Sequence, residues 1–307
     1  MRALILRFSS LGDVVLTSSL FEPLKEKGYE IDLLTFKPYG KLFADDDRVN
    51  VIETTKENLL KDVKKLRNDY NLKIDLHKNL KSYLVRLLLG GKWRSYPKES
   101  IRRRLSVYFK FFRKRYYVPE AYAKSLKGIV EIKSPRPFIK VSESRVKKFR
   151  ELYGDYIVIA PGARYKKKRY PYYKELSELL VREGFKVIIL GDERDYKLSE
   201  DFPGINLCGR LDLIDVLAVI KGAKLFIGND SGLLHCARAV KTKAIQIYGG
   251  THPTLGFALY PDEGLIFCKC LDCQPCDIHG KGKCFINYRC LDISPIKIFE
   301  QVIRVLN

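Results

Sequence analysis

The hydrophobic positions of this chain form short apolar runs that alternate with longer amphipathic stretches almost throughout. A short apolar run bounded by turn residues is typical of a buried strand, whereas apolar positions three and four apart indicate a helix. Because parallel strands need crossover connections, this alternation predicts parallel sheets covered by helices. The expected fold class is therefore α/β.

The alternation occurs twice, on either side of the Pro-rich stretch Ser-Pro-Arg-Pro at 134–137. The predicted strands are 2–7, 30–35, 49–52, 72–76 and 92–95 in the first half, and 186–190, 205–207, 224–228 and 244–248 in the second half, which starts with the strand pattern of "YIVIAPGA", 156–163. The predicted helices are 12–27, 56–70, 79–89, 100–113, 142–153, 171–184, 212–222 and 231–240. These patterns predict Rossmann-like domains at 1–145 and 146–293 with a closing helix at 294–307, and a ligand at the carboxyl ends of the sheets.

Composition adds a strong basic charge to this picture. The net charge is +21, with no apolar run of membrane-spanning length and no visible signal peptide, which predicts a soluble cytoplasmic protein with an anionic partner. Residues 92–115 mix many basic and aromatic residues with the single acid Glu99. This mixture suits an amphipathic helix on anionic lipid, and a solvated helix with a buried aromatic face is the alternative.

Two strand-to-helix turns in the second half have the chemistry of a phosphate site. In "PGARYKKKRYP", 161–171, a Pro-Gly turn precedes four cations that suit phosphate oxygens or simple solvation. In "IGNDSGLLHCARAV", 227–240, Asp230 or Ser231 would cap a helix whose first N–H groups form an anion cradle. His235 lies one turn inside, as a ligand contact or as a core histidine. The donor-binding candidates of these turns are Gly162, Lys168, Arg169, Asp230, Ser231, Gly232, Leu233 and His235.

The first turn of the chain, "FSSLGD", places a carboxylate at the start of a helix. Asp13 is either a helix cap or a general base, since both roles favour an acid here. Ser9 and Ser10 can donate to phosphate or sugar hydroxyls, and Gly12 allows close backbone approach.

Six of the eight cysteines crowd into the segment 268–290, while Cys208 and Cys236 lie in apolar segments and are predicted core residues. Several choices of four ligands have spacing acceptable for a structural zinc ion, with disulfides and reduced thiols as alternatives. The six are Cys268, Cys270, Cys273, Cys276, Cys284 and Cys290.

The motifs "LILRFSSLGDVVLTSSL", "DLHKNLKS", "PGARYKKKRYP", "GDERD", "LFIGNDSGLLHCARAV", "YGGTHP" and "CQPC…KC…RCLDISP" occur in one order along nearly the whole chain. Together they resemble the bacterial lipopolysaccharide heptosyltransferases of glycosyltransferase family 9. The resemblance implies a GT-B fold, with two Rossmann-like domains about a cleft. It also implies an inverting, metal-independent transfer that needs no cofactor.

The same resemblance implies roles for the candidate residues. ADP-heptose would bind the C-terminal domain, with Lys168 and the 231–233 amides stabilising the leaving phosphate, and Asp13 would be the base. The acceptor, Kdo-lipid A or heptosyl-Kdo-lipid A, would meet the N-terminal domain, and 92–115 would dock on the inner face of the inner membrane. The acceptor-side residues are His77, Lys78, Asn79, Lys81 and Ser82, for which an ordinary exposed helix start is the alternative.

Two other functions remain open from the sequence. One is transfer of a different nucleotide-activated sugar to a surface glycan. The other, suggested only by the charge and the Arg/aromatic segment, is nucleic-acid binding, and it leaves the phosphate turns unexplained. No nucleic-acid partner is therefore expected.

Overall fold

The computed structural model describes residues 1–66 and 69–306, which form two compact α/β units. Unit 1 comprises Met1–Lys98 and Val118–Val141, and unit 2 comprises Glu99–Tyr117 and Ser142–Asn307. The strands are β1 (Arg2–Leu6), β2 (Glu30–Phe36), β3 (Val49–Thr54), β4 (Leu72–Asp75), β5 (Arg94–Ser95), β6 (Tyr156–Ala160), β7 (Lys186–Ile189), β8 (Ile205–Asn206), β9 (Leu225–Asn229), β10 (Ala244–Ile247) and β11 (Gly264–Phe267).

The helices cover these sheets and are numbered along the chain. They are α1 (Leu11–Leu16), α2 (Phe21–Glu26), α3 (Leu59–Lys64), α4 (Leu80–Leu89), α5 (Ser100–Tyr108), α6 (Val118–Ala123), α7 (Glu143–Tyr153), α8 (Tyr173–Arg182), α9 (Glu193–Leu198), α10 (Leu213–Gly222), α11 (Gly232–Ala239) and α12 (Pro295–Leu306). The alternation of strands and helices confirms the predicted fold class.

Unit 1 has a parallel sheet in the order β3-β2-β1-β4-β5. The central strand β1 is buried on both faces, as expected for a strand covered by helices, and its residues Leu4 and Leu6 belong to a core cluster with Val85 of α4. Leu6 pairs with Asp75 of β4. The turns that follow β1 and β4 therefore begin at the same edge of the sheet.

Unit 2 has a parallel sheet in the order β11-β10-β9-β6-β7-β8. Gly228 of β9 pairs with Ala160 of β6 on one side and with Gln246 of β10 on the other. The turns after these three strands leave the sheet side by side. This is where a ligand binds in open parallel sheets.

Several predicted helices end earlier than the sequence pattern indicates. The helix expected over 12–27 breaks into α1, a tighter 3-10 turn at Thr17–Leu20, and α2. The hydroxyls of Thr17, Ser18 and Ser19 donate to carbonyls three residues back, which competes with regular α-helical bonding. The helix expected over 56–70 is Leu59–Lys64, and its predicted positions 67–68 lie outside the described residues.

The pattern missed three elements: β11, α6 and α9. Strand β11 begins at Gly264, where a Cβ would lie 1.8 Å from the Ala244 carbonyl oxygen. Only glycine allows β11 to approach β10 this closely. Helix α9 begins within the motif "GDERD", where Asp192 and Asp195 form a capping box.

The bounds of the two units differ from the predicted domain boundaries in two ways. The segment Glu99–Tyr117 belongs with unit 2, although it precedes the predicted boundary, and the two units otherwise change over between Val141 and Ser142. Helix α12, expected to close the structure, lies in unit 2, where Ile298 and Val302 are buried in the core cluster of that unit. The acidic triplet at 45–47 lies in a loop as expected, with buried Asp46 2.7 Å from Arg48.

Candidate active-site residues

At the carboxyl end of β1, Asp13 forms an ion pair with Arg7. Arg7 Nη2 lies 2.7 Å from Asp13 Oδ2, and the Arg7 side chain is only 8% exposed. Burial lowers the pKa of Arg7, but Asp13 together with Tyr122 and Tyr96 outweighs burial, and the pKa ends above its ordinary value. The guanidinium also donates to the Leu76 carbonyl. The carboxylate is therefore held beside a permanent positive charge.

Asp13 also serves the helix that follows it. Its Oδ2 accepts hydrogen bonds from the Ser10 hydroxyl at 2.9 Å and the Ser10 backbone N–H at 3.4 Å, which completes a capping box at the start of α1. The capping alternative from the sequence is thus observed, and it does not exclude chemistry, because a carboxylate has further acceptor positions. Gly12 is buried beneath this turn, and Ser9 is half-buried.

The turn after β4 brings His77 to the same place. The ring centroids of His77 and Phe8 are 4.9 Å apart. Burial first, and then the charge of Arg7, lower the pKa of His77 to about 3 although Asp13 acts in the opposite direction. His77 is therefore neutral at physiological pH, although the Asp13 carboxylate lies close enough to act on it.

Asp75, which the sequence analysis did not single out, organises the acceptor-side turn. Its side chain is fully buried and accepts from the backbone N–H groups of His77 and Lys78, both at 2.9 Å, and from the Ser82 hydroxyl at 2.9 Å. Ser82 and Asn79 in turn form the cap of α4. The sequence signal for this role is the position of Asp75, which ends β4 and opens the motif "DLHKNLKS".

The two acceptor-side lysines have different surroundings. Lys78 Nζ donates to the Tyr96 carbonyl at 3.0 Å. Lys81 Nζ lies 5.5 Å from the centroid of the Phe36 ring, a cation–π contact. The structure thus places Asp13, His77 and both lysines in unit 1, on turns that begin at one sheet edge.

In unit 2, a second ion pair joins two of the predicted donor-site turns. Lys168 Nζ lies 2.9 Å from Asp230 Oδ2, and the side chains are 17% and 7% exposed. The hydroxyl of Thr251, from the turn after β10, donates to the same oxygen at 2.8 Å. Burial raises the pKa of the Asp230 carboxyl, but Lys168, His235 and the Thr251 hydroxyl together outweigh burial and hold the pKa below its usual value. The Asp230 carboxyl is therefore ionised at neutral pH.

Buried Asn229 holds the neighbouring turn in place, a role that the sequence analysis missed. Its amide nitrogen donates to the Pro161 carbonyl at 2.8 Å, and its Oδ1 accepts from the Tyr170 N–H at 3.0 Å. Arg169 donates through Nε to the Ala163 carbonyl at 2.7 Å. One side chain of β9 thus fixes both ends of the basic turn that carries Lys168.

Two glycines of the site are required by close packing. A Cβ at Gly162 would lie 2.0 Å from Asp195 Oδ2, and a Cβ at Gly249 would lie 2.1 Å from the Lys167 carbonyl oxygen. The Gly250 N–H donates to that same carbonyl at 2.6 Å. The "YGGTHP" turn therefore lies directly against the backbone of the basic turn.

Helix α11 begins beside the ion pair. Ser231 is its N-cap residue, and Gly232 and Leu233 supply the first helical N–H groups. Such N–H groups have no acceptor within the helix and favour an anion. Asp230 is not the cap, because its carboxylate is engaged by Lys168 and Thr251.

His235 is 3% exposed and is oriented by an arginine that the sequence analysis did not single out. Arg238 Nη1 lies 3.3 Å from His235 Nδ1, and Arg238 Nε donates to Glu263 Oε2 at 2.7 Å. Because a guanidinium only donates, Nδ1 is the acceptor and Nε2 carries the proton. His235 interacts electrostatically with Asp230 and lowers the pKa of that carboxyl, so the ring belongs to the surroundings of the ion pair.

The cysteine-rich segment packs on this site. The Cys276 N–H donates to the Gly250 carbonyl at 2.9 Å, and a Cβ at Gly280 would lie 2.9 Å from Lys168 Cγ. Buried Gln274 donates to the Gly249 carbonyl at 2.5 Å. The segment, predicted to be an appendage, therefore supports the turn and the lysine at the centre of the site.

The cysteines themselves separate into a pair and a thiol cluster. Cys268 and Cys270 are joined by a disulfide, and their sulfur atoms lie within 4.8 Å of a ring nitrogen of His252. Burial first, and then the neighbouring thiols, raise the pKa of the Cys290 thiol to about 11. Those neighbours are Cys276, Cys284 and Cys273.

Comparison with known proteins places this geometry in one family. Residues 59–281 match the profile of Glycosyltransferase family 9 (heptosyltransferase). Lipooligosaccharide heptosyltransferase 2 of Haemophilus influenzae is 27% identical over 219 residues, covering 62% of this chain and 63% of that protein. The corresponding Haemophilus ducreyi protein is 23% identical over 348 residues, covering 100% and 99%.

Two solved structures share the fold. The chain matches E. coli ADP-heptose LPS heptosyltransferase II with a TM-score of 0.80 and 22% identity, covering 100% of this chain and 98% of that one. It matches E. coli heptosyltransferase WaaC with ADP at 0.71 and 20%, covering 99% and 100%. The expected GT-B fold is thereby confirmed. With the family profile spanning most of the chain, the protein belongs to glycosyltransferase family 9, the heptosyltransferases.

Proposed function

We propose that this enzyme transfers heptose from ADP-heptose to the Kdo or heptose of a lipopolysaccharide inner core, with inversion at the anomeric carbon. The observation that carries the proposal is the buried Lys168–Asp230 ion pair at the start of α11, where a cation and helix N–H groups converge. Unit 2 would bind the nucleotide sugar, and unit 1 the acceptor. In support, the Haemophilus ducreyi relative is named a lipooligosaccharide heptosyltransferase, and the solved WaaC structure carries ADP.

Asp13 is the proposed general base. A sugar hydroxyl becomes acidic only as it attacks the anomeric carbon, so a carboxylate that takes the proton late in the step accelerates transfer. Arg7 Nη2 lies 2.7 Å from Asp13 Oδ2 and holds the carboxylate in place before the reaction. Neutral His77, with its pKa lowered to about 3, adds no competing positive charge. Ser10 fixes the carboxylate through its hydroxyl.

Lys168 is the proposed partner of the leaving group. Negative charge grows on the β-phosphate of ADP as the glycosidic bond breaks, and preorganised cations and N–H dipoles stabilise such charge most strongly away from water. Asp230 fixes the ammonium, Thr251 donates to Asp230, and Gly232 and Leu233 would supply the dipoles. The proposal assigns the stabilisation to these groups and no step to a metal ion.

The acceptor proposal rests on the turn after β4. His77, Lys78 and Lys81 would meet the acidic sugar, while Asn79 and Ser82 position the turn through the α4 cap. The basic segment 92–115 would contact anionic lipid at the inner face of the inner membrane. In support, Tyr108 and Phe111 are 79% and 78% exposed, contrary to a buried aromatic face. No helix within the two described stretches has the length and apolarity to cross a bilayer.

A structural metal ion is proposed for the thiol cluster. Burial first, and then neighbouring thiols, raise the pKa values of Cys276 and Cys290, and a bound cation would stabilise their ionised forms. A structural zinc ion takes four ligands, so Cys273 and Cys284 would complete the proposed site, leaving Cys268 and Cys270 outside it.

Elemental analysis tests the metal proposal. Purified protein should contain about one zinc per chain, as a four-thiolate site requires, and Cys276→Ser with Cys290→Ser should abolish it. Cys208→Ser, a buried core thiol, is the matched control and should retain zinc. Metal-free protein in which Cys273, Cys276, Cys284 and Cys290 are all reduced would contradict the proposal.

The proposed activity predicts a defined product. Incubation with ADP-heptose and Kdo-lipid acceptors of differing length should add the mass of one heptose to one of them. ADP, but not UDP, should raise the melting temperature saturably, because the site binds the nucleotide of its donor. Stabilisation by UDP alone would favour transfer of a different sugar. Strongly salt-dependent RNA or DNA binding without transfer would favour the nucleic-acid alternative.

Asp13→Asn should lower turnover about 10²- to 10⁴-fold, the usual contribution of a general base. ADP binding should be unchanged, since Asp13 lies in unit 1. Rapid-quench or steady-state assays measure the turnover, and calorimetry measures the ADP affinity. Normal turnover in this variant would leave Asp13 with its capping role alone.

Lys168→Ala should lower turnover about 10²-fold or more through the lost phosphate stabilisation. The single change also leaves the Asp230 carboxylate buried without its partner, which destabilises the protein. The double variant Lys168→Ala, Asp230→Asn should recover the melting temperature and not the turnover. Lys166→Ala, an exposed lysine in the same turn, is the control. Recovery of turnover in the double variant would remove Lys168 from the chemistry.

A further inference from the structure

Helix α4 presents an apolar face to solvent. Its inner face, through Val85 and Leu89, lies in the core of unit 1. On the opposite side, five large hydrophobic residues follow a helical spacing of three and four. Their exposed fractions are 77% for Leu80, 52% for Tyr83, 42% for Leu84, 79% for Leu87 and 43% for Leu88. Half of this ten-residue helix therefore exposes large apolar side chains.

The surroundings of this apolar face are basic. Helix α4 carries Lys81 and Arg86 and no acidic residue. Arg86 lies 4.9 Å from the centroid of the exposed Tyr83 ring. Helix α3 packs beside α4 and adds the exposed Lys61 and Lys64, together with Leu60 at 46% exposure.

An apolar helix face bordered by cations is the arrangement of interfacial helices that lie in a membrane surface, with the apolar side chains among acyl chains and the cations at anionic headgroups. A second copy of this chain fits less well. A twofold contact through α4 would bring the same cations of both copies together. The charge of the surface therefore favours an anionic lipid bilayer as its occupant.

The same helix starts at the proposed acceptor turn. Asn79 is the N-cap of α4, and Lys81 lies in its first turn. An acceptor sugar attached to a lipid would reach this turn while its acyl chains remain in the bilayer beside Leu84 and Leu87. The helix would thus orient unit 1 so that the membrane-bound substrate meets its amino end.

We propose that the outward face of α4, formed by Leu80, Tyr83, Leu84, Leu87 and Leu88, inserts into the interface of an anionic membrane. This surface lies in unit 1 and is distinct from the basic segment 92–115, of which residues 99–115 belong to unit 2. The lipid-linked acceptor that gives the insertion its purpose rests on the proposed function, whereas the insertion itself rests on exposure and charge.

Vesicle flotation of the full chain, without substrates, tests the insertion. The probes are vesicles of phosphatidylcholine and vesicles in which part of it is replaced by phosphatidylglycerol. The wild type should float with the anionic vesicles, and Leu87→Gln should bind them about tenfold more weakly, because a leucine side chain loses its burial in the acyl region. Leu152→Gln on α7, an exposed leucine at 63%, is the matched control and should bind as the wild type does.

Three results would overturn the proposal: absence of wild-type flotation, equal binding of wild type and Leu87→Gln, or equal binding to both vesicle types. A dimer seen by light scattering that Leu87→Gln dissociates, with flotation unchanged, would assign the face to a second copy instead. Leu87→Gln should keep wild-type turnover on a deacylated, water-soluble acceptor. If neither the wild type nor the variants transfer heptose, the proposed activity is wrong. The flotation result still decides whether the outward face of α4 inserts into the membrane.

Discussion

The ion pair between Lys168 and Asp230, together with Thr251, joins turns from three adjacent strands of unit 2. The geometry of the proposed donor site depends on it. Lys168 comes from the turn after β6, Asp230 follows β9, and Thr251 follows β10. Because both charges are largely buried, loss of either partner leaves the other uncompensated, which is costly in a protein interior. The pair therefore fixes the ammonium at the amino end of α11 before any substrate arrives.

Unit 1 uses the same device with the opposite polarity. There the buried partner is the cation, Arg7, and the more accessible group is the carboxylate of Asp13. In unit 2 the more deeply buried partner is Asp230, and the cation Lys168 is the more exposed. One sheet edge thus presents a carboxylate and the other an ammonium group, the two groups that the proposed transfer would use. Each is positioned by a counter-charge rather than by the substrate.

The sequence predicted the two parallel sheets and both ion-pair turns, because apolar runs and motif residues are local signals. It did not predict the partners that depend on long-range contacts. Arg7 and Asp75 appear within or at the end of strands, and only the pairing of β1 with β4 brings their turns together. Arg238 reads as an ordinary helical residue, and the fold alone places it between His235 and Glu263. Strand β11 was missed because the need for Gly264 arises only from its close contact with Ala244 of β10.

The crystal structure of this protein with ADP would test the central claim most directly. The account predicts that the β-phosphate lies within about 3 Å of Lys168 Nζ and of a backbone nitrogen at the start of α11, the distance of charge-assisted hydrogen bonds. A well-ordered diphosphate bound elsewhere, with the Lys168–Asp230 pair untouched by it, would contradict the account.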